Sequence, residues 1–433
     1  MTERIITTGT PLSAAWQQSP CSVLYEMARQ RPAQDLELEL GGTVFPLVQN
    51  SATARQILRD TGSNYSKYYG TYEQLFGVSR LTTDGIKWRQ LRAYSQPYIT
   101  ETNPDAVVRT AREYFLAAAQ GILASAQGGS AQVEKQIDFA AAATVCKLVL
   151  GFPIEDWGPE TISDIRHILR LASFENFPQP STGYVEHAML KIDAEDAKAR
   201  LTARFSALVA HRSGRSEGSM IDALANAEPN EVDIFGELST LLFAGFDTTA
   251  SAITWAMFLL GKDKALQDRL RQSVRGLFSQ QTISANDLTG LVDLNAFLLE
   301  TLRIFPPIPL VSRIAVGPQQ IGDLHIKQGK RVLVSIIGIQ QDPAIFHDPM
   351  RVDLSRHPEG ALSKSGAANF VPFGDGRRVC PGSRFANLEA LTALAVFLET
   401  MSIQTPHSDR IALRWDASMR QADGTKLVTA AVV

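Results

Sequence analysis

Between Phe370 and Glu389 the chain reads FVPFGDGRRVCPGSRFANLE. Cys380 stands in a glycine-rich turn just before a predicted helix that runs from Gly382 to about Met401. A helix N-terminus favours a thiolate, because free N–H groups and the helix dipole stabilise negative charge. Gly374 and Gly376 would let the backbone approach a large flat ligand, and Gly382 leaves room for the helix to begin beside it. Arg378 is placed to pair with a carboxylate on whatever the thiolate binds. A lone cysteine is ordinarily a small buried hydrophobe, and Cys21 and Cys146 read that way. For Cys380 the surroundings reverse that reading.

Outward from this turn, the chain reads as one large, mainly α-helical unit with a small β component. It has 433 residues, 45% apolar and 20% charged, which excludes disorder and fibrous repeats. The net charge of −3 supplies no pull toward nucleic acid or anionic membranes. Three distant cysteines without a CxxC argue against a disulfide framework or structural zinc, and a reducing cytoplasmic setting fits. Residues 1–433 read as a single domain, with the first ~20 residues peripheral. No cationic stretch followed by an apolar run precedes Gly41, so no membrane anchor or signal is expected there. The segment Leu241–Leu260 has the length of a membrane span, but Asp247, Thr248, Thr249, Ser251 and Thr254 lie within it. An aspartate at a bilayer centre costs about 2.5–3.5 kcal/mol, so the segment reads as a buried core helix.

Periodicity predicts further elements. Leu36–Leu40 and Thr43–Phe45 alternate around a glycine turn and predict a hairpin. Helices are expected over 50–60, 105–126, 133–150, 159–172, 191–211 and 293–304. The last stops before Pro306–Pro307, as the pre-proline restriction demands. A helix over 232–262, about 31 residues or roughly 46 Å, should cross the whole molecule. Residues 63–76 are rich in tyrosine and glycine and read as a loop. Strands are expected at 311–316, 319–326 and 331–337.

The cysteine stretch resembles the haem-binding signature of cytochromes P450. Phe373, Gly376, Arg378, Cys380 and Gly382 fill its fixed places, and Ala386 and Glu389 also match. Other segments follow in the family's order. Ala244-Gly-Phe-Asp-Thr-Thr249 matches the oxygen-activation motif, where Gly245 would let the helix bulge and Asp247–Thr248 form an acid–alcohol pair suited to proton delivery. Glu300-Thr-Leu-Arg303 puts two opposite charges on one helix face. The resemblance implies that this pair is buried and joined by a later arginine, for which Arg356 is the candidate. The stretch Leu354-Ser-Arg-His357 departs from the family's Pro-Glu-Arg-Phe. Gln340-Gln341 also replaces a frequent Asn- or His-Arg pair, a surface or packing detail. Trp88 and Arg92 share a helix face, and by resemblance both reach a haem propionate, with Arg313 on the other.

The resemblance implies a cytochrome P450 fold and a monooxygenase. Cys380 would be the axial iron ligand of haem b, and Ala244 would border the haem. O2 is the co-substrate, and electrons come from NAD(P)H through a separate ferredoxin or flavodoxin and its reductase. Arg89 and Arg377 are candidates for the partner's docking face. The substrate pocket would include Tyr68, Tyr69, Tyr72, Phe76, Phe174, Phe177, Phe243, Ile308, Leu310 and Val311. That lining suggests a medium-sized apolar or amphipathic substrate whose C–H bond is oxidised. Two rivals are a peroxide-dependent peroxygenase on the same fold and a non-catalytic haem-thiolate gas sensor.

Overall fold

The computed structural model describes residues 4–5, 15–16, 18–40, 42–126, 129–158, 160–176, 184–212, 214, 218–227, 231–279, 283–358, 364–406 and 411–432. Helix Ile234–Lys262 runs through the core. Asp233 starts it by accepting a hydrogen bond from the Gly236 amide at 2.9 Å. Among the described residues it is the one helix long and apolar enough to cross a membrane, yet 83% of its most apolar window is buried inside the protein. Its polar residues are satisfied within the fold: Ser251 Oγ donates to Met419 O at 2.7 Å and Thr254 Oγ1 to Ala250 O at 2.7 Å. A Cβ at position 245 would lie 2.9 Å from both Val145 methyl carbons. Gly245 therefore admits helix Glu134–Val145 rather than a bulge, and the long helix stays regular through it. Helix Ser383–Thr400 packs on the long helix and on Pro104–Ala126.

The main sheet has six strands in the spatial order Arg4–Ile5, Leu36–Leu40, Thr43–Val48, Arg331–Ser335, Leu310–Ala315 and Tyr65–Lys67. The hairpin forms as expected, with Leu38 opposite Phe45 and Gly42 at φ +77° in its turn. Residues 63–76 are not a loop. Tyr65–Lys67 adds an edge strand, and Gly70–Phe76 forms a helix that drives Phe76 fully into the core. Glycine and tyrosine there hid two short elements whose partners are distant in sequence. Residues 319–326 form two strands, Gln319–Ile321 and Leu324–Ile326, separated by a turn with Gly322 at φ +55°. The strand from Arg331 ends at Ser335, whose Oγ caps helix Ile336–Gln340 through the Gly338 amide at 2.9 Å.

The other helices lie close to expectation at Ser51–Arg59, Glu160–Glu175 and Val292–Ile304. The helix expected from 191 begins earlier and spans Tyr184–Arg212. Cys21 and Cys146 are fully buried, and burial pushes both thiols well above the ordinary range, as core packing requires.

Candidate active site

The cysteine turn is held from both ends. Cys380 N donates to Phe373 O at 2.9 Å, and a short 3-10 turn spans Gly376–Arg378. Asp375 accepts from Arg55 Nη1 at 2.5 Å and Arg59 Nε at 3.0 Å, which fastens the turn to helix Ser51–Arg59. Gly376, at φ +69°, is required by that contact: a Cβ would lie 2.6 Å from Arg59 Cα. It thus serves the neighbouring helix rather than a flat ligand. Gly374, at φ +78°, does open onto free space, with no atom within 4 Å of a Cβ. Cys380 is accessible, unlike the two core cysteines. Surrounding protein still raises its thiol pKa, while the Gly382 amide, Arg80 and Lys67 act to lower it.

A cluster of cations lies close by. Arg378 Nη2 donates to the carbonyls of Arg80, Leu81 and Thr83 at 3.2, 3.3 and 2.9 Å. Its buried Nη1 has no hydrogen-bond partner and lies 3.5 Å from Asp84 Oδ1. Burial pushes Arg378 down to about 10. Arg313 is buried; its Nε donates to Thr61 Oγ1 at 2.8 Å and its Nη1 to Ser312 O at 2.8 Å. Strand pairing places Lys67 directly opposite Arg313. Lys67 is pushed well below the usual amine range by burial, then by Arg378 and Arg313. Trp88 carries Arg378 over its ring at 4.5 Å and Arg92 at 5.2 Å. Lys67, Arg313 and Arg378 thus share Asp84 as the acid acting on them, while Glu237 acts on Arg80. Such a concentration of buried positive charge calls for an anionic ligand.

The middle of the long helix has an accessible face of its own. Ala244 is exposed and Thr248 part-exposed in a helix otherwise largely buried, so this face is accessible. Thr248 Oγ1 donates to Ala244 O at 3.0 Å. Asp247 turns the other way. Its Oδ1 lies 2.9 Å from Arg420 Nη2 and 3.2 Å from Arg166 Nη2, and both cations also reach Asp138, at 3.1 and 2.6 Å. Burial alone would raise the Asp247 carboxyl, but Arg420 and then Arg166 outweigh it and hold it below the usual carboxylate range. The expected Asp247–Thr248 pair is therefore a pair in sequence whose side chains diverge.

Glu300 and Arg303 form a fully buried two-pronged pair, Nε–Oε1 2.7 Å and Nη2–Oε2 2.9 Å. Arg356 joins at 3.3 Å, as the resemblance implied. His357, at the place where the family shows phenylalanine, adds a contact of 2.9 Å to Glu300 Oε1. Burial lifts the Glu300 carboxyl, yet His357 and Arg303 hold its pKa down to about 2. Gln340 and Gln341 are buried rather than superficial. They donate to the last carbonyls of helix Val292–Ile304, and Gln340 Oε1 accepts from Val371 N at 3.1 Å, tying that helix to the cysteine stretch.

Of the expected pocket residues, Tyr69, Tyr72 and Phe243 form one aromatic column, with centroids 5.7 Å (Tyr69–Tyr72) and 6.2 Å (Tyr72–Phe243) apart. Phe76 stacks into it from the core side, 4.7 Å from Phe243, fully buried. Ile308, Val311 and Tyr68 are part-exposed, whereas Leu310 is buried. Phe174 stacks on His187 at 5.3 Å between the two helices Glu160–Glu175 and Tyr184–Arg212. Phe177 lies outside the described residues. Arg89 and Arg377 line one surface groove of about 490 Å³ together with Trp88, Arg92 and Glu101. Lys67, Arg80, Arg166, Arg420 and His357 escaped the sequence reading. Only strand register or tertiary packing reveals them, apart from His357, whose position in the arginine motif was already unusual.

An accessible cysteine at a helix start beside a cluster of buried cations suits an anionic ligand held through sulfur. The family pattern described as Cytochrome P450 matches residues 12–426, and the chain belongs to that family, whose members are haem-thiolate monooxygenases. It is 23% identical to human "Cytochrome P450 4V2" over 90% of this chain and 81% of that protein. It is 29% identical to "Cyclooctatin synthase" of Streptomyces melanosporofaciens over 63% of this chain and 59% of that one. The match to mouse "Cytochrome P450 4V2" reaches 31% but spans only 38% of the relative's length. The fold aligns with the crystal structure of the cytochrome P450DA heme domain at a TM-score of 0.83, covering 99% of this chain and 97% of that one at 18% identity.

Proposed function

We propose that this protein is a haem b monooxygenase that oxidises a C–H bond of a medium-sized apolar or amphipathic molecule, with electrons passed from NAD(P)H through a separate ferredoxin or flavodoxin. The observation that carries the reading is Cys380, accessible at a helix start and close to a buried guanidinium, that of Arg378, one nitrogen of which has no hydrogen-bond partner. These residues fit the group. Cys380 Sγ would hold the iron, and Arg378, Arg313 and Lys67 would take its two carboxylates. Haem bound through a thiolate supplies O2 activation and one-electron chemistry.

This chain's own residues then do the positioning. Thr248 presents a hydroxyl on the open face of the long helix and is the group there able to pass a proton. Asp247 stays ionised in its cage and can reach that face only by giving up Arg420 or Arg166. The aromatic column from Tyr69 to Phe243 excludes water from one wall. Arg89, Arg92 and Arg377 offer a basic groove beside the cysteine turn for an acidic electron donor.

Turnover assays test the reading. Product formation should need NAD(P)H with an electron-transfer pair, and Thr248→Ala should divert most of those electrons to peroxide. Full turnover on hydrogen peroxide alone, with coupling unchanged in Thr248→Ala, would favour the peroxygenase. A protein that binds small molecules but turns none over under any donor would be a sensor.

A further inference from the structure

We infer that Arg331 recognises the carboxylate of an organic-acid substrate, which takes over the two guanidinium hydrogen bonds now made to Asn176. This deepens the proposed monooxygenase reading and rests on it. Arg331 opens strand Arg331–Ser335 and is about nine-tenths buried. Its Nη1 donates to Asn176 O at 2.6 Å and its Nη2 to Asn176 Oδ1 at 3.0 Å. Two oxygens of one residue thus occupy two prongs of the guanidinium, the arrangement that the two oxygens of a carboxylate adopt. Nε and Nη2 are meanwhile steadied by Ser312 Oγ at 3.1 and 2.9 Å, and the plane lies over the Tyr68 ring at 4.3 Å. The fork is therefore preorganised from behind and closed in front by an amide.

Three segments meet at this point, and each carries residues assigned to the pocket. Tyr68 lies between the edge strand and the helix that bears Tyr72. Ser312 follows Val311 on strand Leu310–Ala315. Asn176 directly follows helix Glu160–Glu175, which bears Phe174. Burial depresses Arg331 to about 10, and the phenols of Tyr68, Tyr72 and Tyr69 act in the opposite sense. At physiological pH the side chain stays charged in surroundings of low polarity, where a charge-assisted pair is roughly twice as strong as a bond to a neutral amide. A carboxylate would therefore displace Asn176, and acid binding would loosen the end of the helix that Asn176 terminates.

The test uses holoenzyme and two matched pairs of probes, dodecanoic acid with dodecanol and cinnamic acid with cinnamyl alcohol. Binding is read both by the ferric Soret shift and by equilibrium dialysis. Wild type should bind at least one acid about tenfold or more tightly than its alcohol. Arg331→Gln should abolish that preference by weakening the acid alone, and Arg331→Lys, which keeps charge but not the fork, should retain part of it. Equal affinity for acid and alcohol in wild type, no binding of either acid, or equal loss of both partners in Arg331→Gln would overturn the inference. Equal loss would make Arg331 a strut between sheet and helix. The carbon-monoxide spectrum of the same preparations reports separately on haem-thiolate ligation.

Discussion

Two buried charge clusters sit on either side of the cysteine stretch, and they are built to opposite rules. Around Glu300 every charge is answered: Arg303 grips the carboxylate with two prongs, Arg356 and His357 complete it, and the Asp353 amide adds a bond of 3.0 Å. Around Arg378 the cations outnumber their acid, and one guanidinium nitrogen is left without a hydrogen bond. A closed cluster fixes the fold, whereas an open one waits for a ligand. The difference separates residues that share a motif-like appearance in sequence into scaffold and site.

The largest effect should come from breaking the closed cluster. Glu300→Ala leaves Arg303 buried without its acid and should cost about 3–5 kcal/mol, a large share of the stability of an ordinary domain. Urea or thermal melts of the purified variant measure this, and a loss below about 1 kcal/mol would contradict the closed-cluster account. Acid should strike the same place. The Glu300 pKa is depressed in the folded state to about 2 from an ordinary value of 4.5. Its stabilisation is therefore present above about pH 4.5 and lost as pH falls toward 2, about 3 kcal/mol in all. Stability curves against pH should show this loss in wild type and not in Glu300→Gln.

The open cluster should behave differently. Arg378→Leu removes a cation that repels Lys67 and Arg313 but also the donor to the carbonyls of Arg80, Leu81 and Thr83, so the haem-free protein should lose clearly less stability than Glu300→Ala does. Haem retention should suffer instead, by about ten- to a hundredfold, the worth of a charge-assisted hydrogen bond of about 1.5–3 kcal/mol. Transfer of haem to a scavenger protein reads this directly. A lowered melting point with unchanged haem affinity would assign Arg378 to the scaffold.

The smallest effect sharpens the contrast from a second glutamate. Glu389 is fully buried, and burial raises its pKa well above the ordinary carboxylate value, with Thr144 the group acting to lower it. Burial favours its neutral form, so Glu389→Gln should change stability by less than about 1 kcal/mol. Glu300→Gln, by contrast, discharges an answered pair.

How much of this was legible follows from range. The cysteine turn, the Glu300–Arg303 pair and the long helix rest on residues close in sequence, and local spacing carries their chemistry. Arg356 was reached only through the family's order of segments. Lys67 became a site residue because its strand pairs with one about 250 residues later. Nothing in Tyr65–Lys67 signals that register. Asp247 illustrates the opposite failure. Adjacency to Thr248 suggested a pair, but a helix turns consecutive side chains about 100° apart, so neighbours in sequence face different surroundings. Its partners Arg166 and Arg420 come from a distant helix and from the strand Met419–Gln421 near the end of the chain. Gly376 was identified as special for the right reason, the need for close approach, but the object approached is helix Ser51–Arg59, whereas Gly245, read as the place of a helix bulge, instead admits Val145.

The sulfur of Cys380 carries the central claim, and one spectrum addresses it. The purified protein, reduced under carbon monoxide, should show the red-shifted Soret band of a thiolate-bound haem, and Cys380→Ser should lose that band. An identical band in the serine variant would contradict the account, because the iron would then be held by something other than Cys380.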